Sequence, residues 1–73
     1  MPVTETYMRE ATILRRIEDE YREMPGLVLT PEQGARLWAL PVVNVLDALH
    51  TLVAHGLLSR SPMGTYRLRE HTV

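Results

Sequence analysis

Apolar positions in the first part of the chain recur at helical spacing. Tyr7, Leu14 and Tyr21 fall seven apart, and Ala11, Ile17 and Met24 fill the turns between them. This pattern predicts one long helix with an apolar stripe. Arg9, Glu10, Arg15, Arg16, Glu18, Asp19, Glu20, Arg22 and Glu23 mostly occupy the opposite face. Ile13 widens the stripe at its margin, which leaves two readings. Either the whole stripe is one broad core face packed on the later helices, or part of it pairs with a second copy. Pro25-Gly26 stops the helix, because proline cannot continue it and glycine accepts turn geometry. Leu27-Val28-Leu29 then reads as a brief extended strand.

Thr30-Pro31-Glu32-Gln33 is a helix start written in side chains. Threonine can cap free N–H groups, proline suits the first helical position, and Gln33 completes a capping box. A short helix follows over about Pro31 to Trp38, with Ala35, Leu37 and Trp38 apolar and Trp38 expected in the core. Ala39-Leu40 makes a tight turn and Pro41 opens a third helix. Its buried face is predicted to carry Val42, Val45, Leu46, Leu49, Leu52 and Val53, with Gly56 closing it in a left-handed conformation.

Beyond Gly56 the apolar period shifts toward two. Leu57-Leu58-Ser59-Arg60 is predicted as a strand, Ser61-Pro62-Met63-Gly64 as a turn, and Thr65-Tyr66-Arg67-Leu68-Arg69 as the antiparallel partner. Tyr66 and Leu68 should share one face; Thr65, Arg67 and Arg69 should share the other. Met63 belongs at the exposed tip. A lone hairpin is barely stable, so the Leu27–Leu29 strand is expected to join it in a small three-stranded sheet. The fold class is therefore mainly α with a small antiparallel β-sheet, a winged helix-turn-helix of three helices plus a β-hairpin wing. It occupies residues 1–73 as a single domain, with 1–4 and 70–73 expected to fray.

The stretch EYREMPGLVLTPEQGARLWALP, followed by LDAL, HGLLSR and GTYRL, resembles small stand-alone bacterial winged helix-turn-helix proteins. That resemblance runs from about Ile13 to Leu68. It rests on Thr30-Pro31, Leu46, Leu49, Gly56-Leu57-Leu58 and Gly64-Thr65-Tyr66. It implies a DNA-binding transcriptional regulator whose partner is double-stranded DNA. The same fold also serves protein–protein contacts, so a winged-helix interaction module is the alternative.

Composition narrows the field. At 73 residues the chain holds one small domain, too short for a dinucleotide fold or a barrel enzyme. Cysteine is absent, which excludes disulfides and thiolate metal sites and points to the cytoplasm. No run approaches the roughly 18 apolar residues of a spanning helix, so no membrane partner is expected. The formal net charge of −1 averages two unlike parts. Residues 1–25 hold four arginines and six acids, whereas residues 26–73 hold four arginines and three acids. Arg60, Arg67 and Arg69 gather in the predicted hairpin with no acid among them, placed to lie along phosphate or to be solvated strand residues.

On the third helix, the positions offered to a groove are Val43, Asn44, Asp47, His50 and Thr51, and the helix has no arginine or lysine. Asn44 suits a bidentate bond to adenine, Asp47 can accept from a cytosine amine, and His50 or Thr51 can reach a base or phosphate. Arg36 on the second helix is a candidate backbone anchor. The candidate DNA-binding set is thus Arg36, Asn44, Asp47, His50, Thr51, Arg60, Arg67 and Arg69. Any of these polar positions on helix 3 also fits a plainly solvated face. His50 and His55 lie roughly 140° apart around the helix at about 100° per residue, which is wrong for a zinc pair. No nucleophile with an oxyanion cradle is visible, and neither catalysis, cofactor, metal nor small-molecule substrate is expected. A homodimer is expected, since small helix-turn-helix proteins read paired half-sites that way.

Overall fold

The computed structural model describes the backbone of residues 2–69 and the side chains of residues 11–69. The order is α1 (Pro2–Glu23), α2 (Pro31–Trp38), α3 (Val42–Ala54), β1 (Leu58–Arg60) and β2 (Tyr66–Leu68). Met1, Glu70–Val73 and the side chain of Tyr7 lie outside the described residues. The ends expected to fray fall largely there, although α1 already runs from Pro2. No single helix among the described residues is long and apolar enough to cross a membrane.

Capping sets the start of α2. The Thr30 hydroxyl accepts from the Gln33 N–H at 3.2 Å, and the Thr30 N–H donates to Gln33 Oε1 at 2.9 Å. Both halves of the predicted box are made. At the far end Ala39 takes the left-handed conformation, φ 54° and ψ 48°. Three residues connect α2 to α3, and the two helix axes turn by 113°. That is the geometry of a helix-turn-helix. An L-residue in this conformation is strained where glycine is not. Ala39→Gly is therefore expected to raise stability by about 0.5–1 kcal/mol, after the extra unfolded-chain entropy of glycine is subtracted. A thermal melt of the variant checks this, and a lowered midpoint would contradict it.

Ile17 and Tyr21 from α1, Leu29, Trp38, four residues of α3, Leu58 and Tyr66 form one core. The α3 contribution is Val45, Ala48, Leu49 and Leu52. Val42 was expected inside but is 42 % exposed, at the first residue of α3. Ala48 replaces it in the core. Leu46 and Val53 are half-buried at the margins. In α1, Ala11 and Met24 of the expected stripe are exposed, and Ile13 and Leu14 are half-buried. The helix packs chiefly on α3 and β2 rather than on α2.

The hairpin pairs Leu58 with Leu68, Ser59 with Arg67 and Arg60 with Tyr66. Leu27–Leu29 does not become a full third strand. Only Leu29 bridges to Tyr66, its N–H donating to the Tyr66 carbonyl at 3.1 Å and its carbonyl accepting from the Tyr66 N–H at 2.7 Å. The chain must enter the α2 cap at Thr30, which leaves no length for further pairing. The Tyr21 hydroxyl donates to the same Tyr66 carbonyl at 2.8 Å, tying α1 to β2. Gly56 has φ 83°, as the predicted helix stop requires.

Candidate nucleic-acid interface

Helix α3 presents two different flanks, and the candidate residues divide between them. Asn44, Asp47 and Thr51 line a groove shared with Ala48 and with Ile13 and Leu14 of α1. The Thr51 hydroxyl donates to the Asp47 carbonyl at 2.9 Å, a bond back along its own helix. On the other flank, Leu46 and His50 face the wing. They line an open groove of about 420 Å³ with Thr30, Pro31 and Glu32 from the start of α2 and Arg60, Met63, Gly64 and Tyr66 from the hairpin. The His50 ring lies tilted against Tyr66, with ring centroids 6.2 Å apart.

The hairpin alternation separates the arginines. Arg60 pairs with Tyr66 and so shares the face turned toward α3. Arg67 pairs with Ser59 on the opposite face, with Arg69 two residues on. The Arg69 N–H donates to the Leu57 carbonyl at 2.9 Å. Its guanidinium Nη1 comes within 3.7 Å of where a Cβ on Gly56 would stand. That places a positive charge at the C-terminal end of α3, where the helix dipole favours it. Arg36 is exposed in the last turn of α2. The structure thus gathers His50 and Arg60 at one groove, sets Asn44, Asp47 and Thr51 beside α1, and holds Arg67 and Arg69 behind the wing.

The wing tip is locally braced. The Ser61 N–H donates to the Thr65 carbonyl at 2.9 Å, and the Gly64 N–H donates to the Ser61 carbonyl at 3.0 Å. Ser61 Oγ accepts from the N–H groups of Met63 and Thr65, each at 3.2 Å, and lies 2.7 Å from Thr65 Oγ1. Gly64 turns the chain with φ 82°. Met63, 89 % exposed, is therefore carried on an ordered tip rather than a loose one. At the start of α3, Pro41 stands at the cap with no side-chain hydrogen bond, and the first turn has no acid. The N–H groups there have no competing carboxylate, an arrangement open to an anion.

Leu46, Tyr66, Met63 and Glu32 were not among the sequence candidates, yet they line the groove with His50 and Arg60. The i, i+4 spacing of Leu46 and His50 was the available signal for their shared face. Glu32 reaches the groove through the folding of α2 against the wing, which spacing along the chain does not reveal. Its charge opposes that of Arg60, so the groove has no strong field of either sign. No family model, curated protein or solved structure matches this chain.

Proposed function

We propose that this chain binds double-stranded DNA as a winged helix-turn-helix transcriptional regulator in the cytoplasm, acting as a homodimer. One observation carries the reading: a helix turned by 113° from its predecessor stands beside a braced hairpin, with His50 and Arg60 facing across the groove between them. In this arrangement α3 enters the major groove, with Asn44, Asp47, His50 and Thr51 near base edges. The wing approaches the phosphate backbone with Arg60. Arg36 anchors a phosphate from α2. Arg67 and Arg69 add charge from behind the wing. A second copy paired along α1 would supply the affinity that four arginines and a near-neutral chain lack.

A second reading is a winged-helix protein-interaction module. It is favoured by the exposed apolar side chains Leu37, Val42 and Val43 around the α2–α3 corner and by the absence of cations on α3. Salt dependence of duplex affinity separates the two. Arg36 and Arg60 in each copy of the homodimer make four arginine–phosphate contacts, which predict a log–log slope near −3.6. Arg60→Ala removes two of them and should make that slope shallower by about 1.8 while weakening all sequences alike. Asn44→Ala should chiefly relax selectivity. Absence of any duplex binding at low salt would reject the regulator reading. Sedimentation at monomer mass at high micromolar concentration would reject the α1 pairing.

A further inference from the structure

One well-exposed residue of α3 is not polar. Val43 is 62 % exposed, and helical spacing sets it on the row continued by Leu46 and His50, two residues that line the wing groove. His50 follows it by seven residues, an offset of only about 20° around an α-helix. Val43 therefore extends the row that meets the wing groove by nearly one turn beyond Leu46, toward the N-terminal end of α3. That end is where a helix-turn-helix reads base edges.

We infer that α3 reads thymine by its 5-methyl group, through Val43. This rests on the duplex-binding reading and names what that surface selects. Beside Asp47, His50 and Thr51, the chemistry on α3 is short of groups that read guanine. With no arginine or lysine on the helix, the bidentate pairing to guanine O6 and N7 is unavailable. Asn44, adjacent and exposed, matches the N6 and N7 edge of adenine. A branched aliphatic side chain matches the one apolar feature of the major groove, the methyl of thymine. Valine is also stiff at χ1, so its two methyls are held in a fixed direction rather than searching among rotamers. Serine or asparagine at this position would be as soluble and would not make that contact. Adenine and thymine are thereby recognised together, by adjacent residues, without help from the wing.

Replacing thymine by uracil removes the methyl and leaves every hydrogen-bonding group of the base pair in place. The probes are a 24-base-pair alternating dA–dT duplex, the same duplex with uracil for thymine, and an alternating dG–dC duplex with and without 5-methylcytosine. Binding is measured by fluorescence anisotropy at low salt. The full chain should bind the uracil duplex more weakly by about fourfold for each methyl contacted. It should also gain affinity for the dG–dC duplex when cytosine is methylated. Val43→Ser, an exposed substitution whose unchanged melting midpoint verifies the fold, should bind thymine and uracil duplexes alike. Equal binding of thymine and uracil duplexes by the unaltered chain would overturn the inference and leave duplex binding standing. No binding to any duplex would overturn duplex binding itself, and the thymine reading with it.

Discussion

Gly34→Val is expected to leave the chain largely unfolded at room temperature. A Cβ at Gly34 would stand 2.7 Å from Trp38 Cζ3, 3.1 Å from Val45 Cγ1 and 3.2 Å from Trp38 Cε3. Neither neighbour can yield, since Trp38 is 2 % exposed and Val45 is fully buried. Trp38 Nε1 has no hydrogen-bond partner among the described residues, so packing alone sets the ring position. Alanine at 34 gains about 1 kcal/mol of helix propensity and loses about 1–3 kcal/mol to overpacking. The net is a loss of up to about 2 kcal/mol, or a melting midpoint lower by roughly 10 °C. Valine adds two more methyls to the same space and, being β-branched, forfeits most of the propensity gain. A domain of this size draws only about 3–5 kcal/mol from its core, so the valine variant has little left. Circular dichroism melts of both variants read the series. A cooperative valine melt at the unaltered midpoint would show that α2 and α3 do not need this close approach.

The importance of Gly34 could not be read along the chain. A glycine inside a predicted helix looks like a flaw in local propensity, and the reason for it lies on α3 and on the far edge of Trp38. Local chemistry was more legible. The Thr30–Gln33 box and Pro31 set the start of α2, and Gly56 set the end of α3, because each acts on backbone groups within a few residues of itself. Faces were harder. Val42 fits the apolar period of α3 yet points to solvent, since the period says where a stripe lies but not how far along the helix its neighbours extend. Ala48 is small enough to escape notice and is buried because α1 crosses there.

The candidate interface follows the same division. That His50 and Arg60 meet at a groove depends on which face of the hairpin turns inward, and the pairing Arg60 with Tyr66 decides that. The predicted alternation put Tyr66 opposite in sense to Arg67 and Arg69, so two of three wing arginines already pointed away from the core face. The assignment of Asn44, Asp47 and Thr51 to the α1 flank needed the position of α1, which helical spacing alone does not supply.

Above pH 10 the fold should weaken, and Tyr21→Phe should lessen that weakness. Tyr21 is fully buried and donates its hydroxyl to the Tyr66 carbonyl at 2.8 Å. Burial first, and the nearby Tyr66 phenol second, push its pKa up to about 12 from 10.0. Between these values the unfolded chain has released the Tyr21 proton while the folded chain holds it. Stability is thus complete below about pH 10 and falls as the pH rises toward 12. A shift of this size is worth on the order of 2 kcal/mol by the upper end of that window. At neutral pH the phenylalanine variant should be weaker by about 1 kcal/mol for the lost hydrogen bond. The Tyr66 carbonyl is not orphaned by the change, because it still accepts from the Leu29 N–H at 3.1 Å. The variant starts lower but declines less, so the two stability curves should cross between pH 10 and 12. The other tyrosines are common to both chains, so the difference isolates Tyr21 together with its coupling to Tyr66. Urea midpoints from pH 8 to 12 measure it, and parallel curves would mean that the Tyr21 proton is not held by the fold.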